Sequence, residues 1–416
     1  MIRQNSIYII SYLTILIGFF FNEDVLGGSR GDYEYHIKFI NLFANDLVIG
    51  LNKYGYDGYL ARNSPVFYII LGKLSEILTL NQIRLINSFG SIIIAILFYK
   101  TLKIQFINLK TNDLKILSCI LFLSPTIRSL SIWPYPILWA LIFFLLSIYF
   151  FLQFKNNDYN SNKLFYLSLL SLIFSSYLNY NFACFAIYYL FKYFEKKGLS
   201  IDTIKVLAFC FLLSLPAILF LFFRQEIYVF NGPSGFPVDF ADVFNMSNKV
   251  LLICSIITVY FFIYFNIQQF LYEPFKFICK FKNVTIFSTI IAILIFFFNY
   301  PITENFGGGI IFKLSNKLFN NNLLFYVFSI YSLILICTHL SLKDNIIVIC
   351  ILIFLYNIQY TIYMKYYDPL IYFILFFLLK TKLNEKLFKN KYYLKRIYFF
   401  CFLIYFSFLF KSNLIV

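Results

Sequence analysis

Between two long apolar runs, residues 22 to 64 carry Asp32, Glu34, His36, Asp46, Asp57 and Arg62. A carboxylate that takes a proton from a hydroxyl, a histidine that orients it and an arginine that grips a phosphate are the groups a transfer onto an alcohol needs. A carboxylate beside aromatic rings at a membrane surface is disfavoured in its charged form, which suits a general base. Asp32 and Glu34 are the candidates, and solvated loop acids are the plain alternative. His36 can orient an acid or carry a proton, although a single histidine in a polar loop is more often solvated. Arg62 through its planar fork, and Lys365 as a point charge, suit a phosphate; each suits an interfacial anchor as well.

These residues need helices in a membrane to hold them. Hydrophobic residues make up 61% of the chain and charged residues 13%, against roughly half and a quarter in soluble domains. The expected fold is all-α, a polytopic transmembrane helix bundle of about 11 to 13 spans forming one integral membrane domain over residues 1–416. Runs near 83 to 102, 135 to 153 and 205 to 223 are among the spans. Residues 22–82 form the first outer loop, with amphipathic helices lying along the membrane surface.

The net charge of +16 follows the loops. Lys100, Lys103, Lys110 and Lys115, then Lys192, Lys196 and Lys197, then the basic run from Lys380 to Arg396, fall on one side if the N-terminus is cytoplasmic. The positive-inside rule then explains the charge, and nucleic acid is not needed. The expected location is a plasma membrane, the bacterial inner membrane, with the working face periplasmic or extracellular. The apolar run at 7 to 21 precedes Asn22, Glu23 and Asp24 with no small-residue cleavage site, so it reads as an uncleaved anchor. Eight cysteines, with no Cys-x-x-Cys pair, imply neither a disulfide framework nor a zinc site.

Three outer loops follow from this topology: 22 to 82, 224 to 249 and 301 to 321. Pro65 is placed to open a second interfacial helix. Gly307-Gly308-Gly309 lets backbone approach closely, either to an anion or within a re-entrant turn, and no Walker lysine follows. Asn231-Gly232-Pro233-Ser234-Gly235-Phe236-Pro237 is turn-rich. Tyr363-Met364-Lys365-Tyr366-Tyr367-Asp368-Pro369 ends one span and begins the next, where Lys365 and Asp368 can also pair across the turn.

The pattern resembles the multi-pass glycosyltransferases of the GT-C superfamily, which use lipid-phosphate-linked sugars. Gly31-Asp32-Tyr33-Glu34-Tyr35-His36 is similar to their acidic motif soon after the first span. Asn63-Ser64-Pro65-Val66-Phe67-Tyr68 is similar to the proline-aromatic helix start that follows it, and Asn81-Gln82-Ile83-Arg84-Leu85-Ile86-Asn87 to the opening of the next span. Ser124-Pro125 with Arg128 resembles the turn after the third span, and Lys365 to Pro369 the late basic-Tyr turn. The superfamily more often has an adjacent Asp-Glu pair, which Tyr33 separates here.

The resemblance implies catalysis by Asp32, Glu34 and His36, and substrate binding by Arg62, Arg128, Lys365, Tyr366 and Asp368. It implies a polyprenyl-phosphate-linked sugar as donor, a glycan, lipid or protein acceptor, and in some relatives a divalent cation such as Mg or Mn. A polymerase or ligase of surface polysaccharide is an alternative, although outer-loop arginines are few. A lipid-linked sugar flippase or transporter is another, for which Asn179, Asn181, Asn266 and Gln359 offer a polar path.

Overall fold

Apolar side chains recurring with few helix breakers produce helices throughout the computed structural model, which describes residues 2–54, 64–224, 245–264, 272, 284–302, 307–340, 342–357 and 359–413. Among the described residues the only β pairing is an isolated bridge between Gly307 and Ile362. The chain divides into two compact units, Met1–Tyr228 with Ile397–Val416, and Val229–Arg396.

The first unit contains α1 (Ile2–Phe20), α2 (Ser29–Asn45), α3 (Leu47–Lys53), α4 (Val66–Ser75), α5 (Leu80–Ser88), α6 (Gly90–Gln105), α7 (Thr111–Ser118), α8 (Pro125–Ile132), α9 (Pro136–Asn156), α10 (Asn162–Leu178), α11 (Phe185–Lys197) and α12 (Ile201–Arg224). Among the described residues three helices are long and apolar enough to cross a membrane: Leu80–Gln105, formed by α5 and α6 together, then α9, and Ile201–Phe220 within α12. The number rises to five if two bent helix pairs each count as one span, against the 11 to 13 expected. The apolar parts of α1 and several later described helices run to 10–17 residues, short of the roughly 20 that fill a bilayer.

The apolar helix pair Thr111–Leu123 and Pro125–Ile132 is bent by 66°. Pro125 forces the bend, because its ring disfavours helical backbone at the preceding residue. Ser124 accordingly sits extended at ψ 121° and caps α8 by accepting from the Ile127 N–H. Only 11% of the apolar window of α12 is buried, against 67% for α9. That bare apolar flank is costly in water and natural in lipid.

Aromatic packing fills the space between α9, α10 and α11. Phe151 stacks on Tyr189 at 4.4 Å, Phe165 on Tyr193 at 4.4 Å, and Phe144 meets Phe182 at 5.0 Å. Tyr189 donates or accepts at Ser147 (3.0 Å), and Ser175 donates to the Ala140 carbonyl (2.7 Å), so these hydroxyls inside the layer are paired.

The second unit holds α13 (Met246–Phe261), α14 (Val284–Phe296), α15 (Gly309–Phe319), α16 (Leu323–His339), α17 (Lys343–Cys350), α18 (Leu370–Phe373) and α19 (Lys382–Lys389). α17 and α18 run into π turns, Ile351–Leu355 and Ile374–Leu378. The glycine run approaches backbone within the protein. Gly307 lies at φ +86°, where L side chains rarely sit, and a Cβ there would strike the Ile362 carbonyl; the Gly308 N–H donates to that same oxygen at 2.9 Å. Gly307→Ala is expected to cost roughly 1–3 kcal/mol through left-handed strain and this clash, read as a lowered thermal midpoint of the purified protein. An unchanged midpoint would refute the account.

Candidate functional site

The acids of the first polar segment fall into two groups, according to whether helix α8 holds them. Glu23, just past the end of α1, forms a two-pronged ion pair with Arg128, Nε to Oε1 at 2.7 Å and Nη2 to Oε2 at 2.7 Å. Arg128 also donates to the Thr14 hydroxyl (3.0 Å), the Thr14 carbonyl (3.1 Å) and the Phe122 carbonyl (3.3 Å). All five of its N–H groups are thus directed inward, and its side chain is 7% exposed. The phosphate role expected of Arg128 finds no donor left to perform it, because Glu23 occupies the fork that a phosphate would take.

The Trp133 indole N–H donates to the Glu23 carbonyl at 3.0 Å, and the Leu26 N–H donates to the Ser129 hydroxyl at 3.1 Å. The Tyr405 hydroxyl approaches Glu23 Oε1 at 3.4 Å, while its ring lies 5.1 Å from the Arg128 guanidinium. Arg84 stacks on Trp133 at 3.9 Å and donates to Asn22 Oδ1 (2.9 Å) and the Ile132 carbonyl (3.2 Å). Asn87 donates to the Leu130 and Ser131 carbonyls. The Arg84 and Asn87 motif thus fastens α8, and α8 fastens residues 22–26.

Asp24 passes this anchoring on to α2. Its carboxylate accepts from the backbone N–H groups of Gly27 (3.1 Å), Gly28 (2.9 Å) and Arg30 (3.0 Å), satisfying donors that a helix start leaves open. Asp32 stands in the first turn of α2, where the helix dipole favours negative charge. It is half-buried, and Glu34 is exposed. Residues two apart on a helix point about 200° apart, so Asp32 and Glu34 cannot converge on one reacting group. Glu34 instead pairs with Arg30 on the solvent side, at 3.1 Å with both side chains about 60% exposed.

Tyr33, between them, turns inward against Trp133 at 6.0 Å. Burial pushes its phenol up to about 12, with Arg84 opposing. The buried stripe continues through His36, Phe39, Ile40 and Phe43. His36 shares a hydrogen bond between Nδ1 and the Tyr68 hydroxyl at 2.7 Å, and its ring meets Tyr135 at 4.8 Å and Phe39 at 6.3 Å. It sits inside the packing between α2 and α4, one helical turn on from Asp32.

In the second unit, Lys365 is half-buried with its ammonium 5.3 Å from the Tyr363 ring. Tyr366 and Asp368 are buried. Tyr366 donates to Gln359 at 3.4 Å, and Asp368 accepts from the Tyr260 hydroxyl at 3.1 Å. Arg62 lies outside the described residues, as do the turn-rich segment 231–237 and residues 303–306. Among the described residues no three His, Cys, Asp or Glu side chains are grouped to hold a metal ion.

The residues that sequence reasoning passed over are Glu23 and Asp24, read there only as the flank of the first apolar run. Their signal was adjacency: two acids together at the very end of an apolar helix need a partner, though the pattern does not name it. Gly18 makes room for that partnership, since a Cβ there would run into Glu23 Oε2 and come within 3.1 Å of Ile132. Gly→Ala in a helix ordinarily stabilises by about 0.5–1 kcal/mol. Gly18→Ala is expected to do the opposite, costing roughly 1–3 kcal/mol by overpacking. A raised thermal midpoint for this variant would refute the crowding argument.

No protein-family model, curated protein or solved structure matches this chain.

Proposed function

We propose that this chain is a membrane glycosyltransferase of the GT-C kind, moving a sugar from a polyprenyl-phosphate donor onto a hydroxyl of a glycan, lipid or protein acceptor. The observation that supports this reading is Asp32, half-buried at the start of an amphipathic helix that Asp24 caps and the Glu23–Arg128 pair anchors. Such anchoring holds a base at one place at the edge of an apolar bundle, where a lipid-borne sugar has its reactive carbon.

Asp32 takes the proton of the acceptor hydroxyl as that oxygen bonds to the anomeric carbon. The bond from that carbon to the phosphate oxygen breaks, and polyprenyl phosphate leaves with the electron pair. The departing group already carries charge, so a base, a cation and positioning suffice. Arg62, from the same polar segment of the sequence, is the proposed cation. Glu23 and Arg128 act as positioning residues, and no step is assigned to a metal.

The test supplies protein in liposomes with polyprenyl-phosphate glucose, mannose or arabinose, labelled in the sugar, and short glycan acceptors. Labelled glycan and released polyprenyl phosphate support the proposal. Transfer only from a lipid-diphosphate oligosaccharide would favour the polymerase or ligase reading.

A transporter is the second reading, favoured by one feature of the Val229–Arg396 unit: two apolar helices end in π turns, in a unit that also buries the ionisable Lys249 and Asp368. Passage of labelled lipid across the bilayer with its glycosidic bond intact would support it and overturn sugar transfer.

A further inference from the structure

At the C-terminal ends of α9 and of the joined α5–α6 helix, both long enough to span a membrane, the first unit has an open cavity of about 660 Å³. Lys100 and Lys103 reach it from α6, Gln153 and Asn156 from α9, and Ile104 and Leu164 form apolar wall. No carboxylate lines it. Lys100 and Lys103 stand three residues apart on one helix, hence on one face, where like charges repel. Both are exposed, and neither makes an ion pair among the described residues.

Lysines at a helix C-terminus do complement its dipole. Two on the same face, beside a cavity that no carboxylate lines, do more: they present two cations with no anion to answer them. Gln153 Nε2 donates to the Tyr149 hydroxyl at 3.0 Å, which braces the α9 side of the cavity. Ile107, another lining residue, is 77% exposed, so apolar surface continues out from the charged end. A phosphate with an acyl chain attached answers both features. We infer that this cavity binds the headgroup of an anionic glycerophospholipid, its phosphate between Lys100 and Lys103 and its chains starting along Ile104, Ile107 and Leu164. The inference rests on the membrane reading of α6 and α9 and is independent of sugar transfer.

Full-length protein, stripped of lipid in mild detergent, would be titrated with phosphatidylglycerol, phosphatidylcholine and inorganic phosphate, and bound lipid read by native mass spectrometry. Phosphatidylglycerol is expected to be retained in preference to phosphatidylcholine. Removing both charges in Lys100→Gln/Lys103→Gln is expected to weaken that retention by roughly tenfold or more. The matched pair Lys196→Gln/Lys197→Gln, which removes the same charge from α11 outside the cavity, is expected to leave it unchanged. Equal loss in both double variants would overturn the site in favour of diffuse surface charge, and equal retention of the two lipids would overturn it outright. Displacement of phosphatidylglycerol by equimolar inorganic phosphate would overturn the lipid assignment and identify a soluble phosphate instead. Variant fold is checked by gel filtration, and the wild-type lipid preference tests the site without any variant.

Discussion

Arg128→Met is expected to lower the stability of the purified protein by roughly 3–5 kcal/mol, the range for breaking a buried ion pair from one side. The substitution keeps most of the side-chain length but strips Glu23 of both charged contacts and leaves the Thr14 and Phe122 carbonyls without their donors. The carboxylate, with 16% of its side chain exposed, is then held where little water can replace the guanidinium. Adding Glu23→Gln should restore part of the loss, because a neutral amide is less costly to leave in that place than a bare charge. Thermal unfolding of the two single variants and the double variant measures the coupling directly. The same experiment separates two roles for Arg128. A residue that grips the donor phosphate would raise KM with stability unchanged, whereas an anchor for residues 22–26 would lower stability first. Wild-type stability in Arg128→Met would remove the anchoring account.

Asp32→Asn is expected to reduce the rate of sugar transfer by about 10²–10⁴-fold, the usual contribution of a positioned general base. Glu34→Gln is expected to stay close to wild type. The contrast is the informative part, because the two acids belong to the same short motif and differ only in the helix face they occupy. Asparagine preserves size and can accept a hydrogen bond, so folding and membrane insertion should survive; it cannot take a proton. If Asp32→Asn and Glu34→Gln both transfer sugar at the wild-type rate, the catalytic reading of this helix fails. If Glu34→Gln alone is inactive, the base lies on the solvent face and the argument from half-burial is wrong.

A good part of the architecture was legible in local patterns. The stretches around 83–102, 135–153 and 205–223 became the three long apolar helices because hydrophobicity sustained over some twenty residues leaves a chain little alternative to a helix. Pro65 was expected to open a helix, and α4 begins at the next residue, since a ring with no N–H to offer belongs at a helix start. The amphipathic character of the first loop was likewise visible in residues 29–45, whose buried positions recur at helical spacing.

What the sequence determined by itself was chemistry of short range: which segments are helical, which are apolar enough for lipid, and where acids and bases are concentrated. Tertiary structure decided which of those charges are at work on one another. The Glu23–Arg128 pair joins residues 105 apart in the chain, and nothing in the local pattern of either end names the other. His36 and Tyr68 are 32 apart, and their contact turned an expected loop histidine into part of the packing. Gly307 to Gly309 read as a close approach of backbone, to an anion or within a re-entrant turn, and the partner of the Gly308 N–H is the carbonyl of Ile362. The physical reason is common to all three. Periodicity and propensity act within a few turns of chain, whereas the penalty for leaving a buried charge or polar atom unpaired acts across the whole fold, and it selects partners by position in space and not by order in the chain.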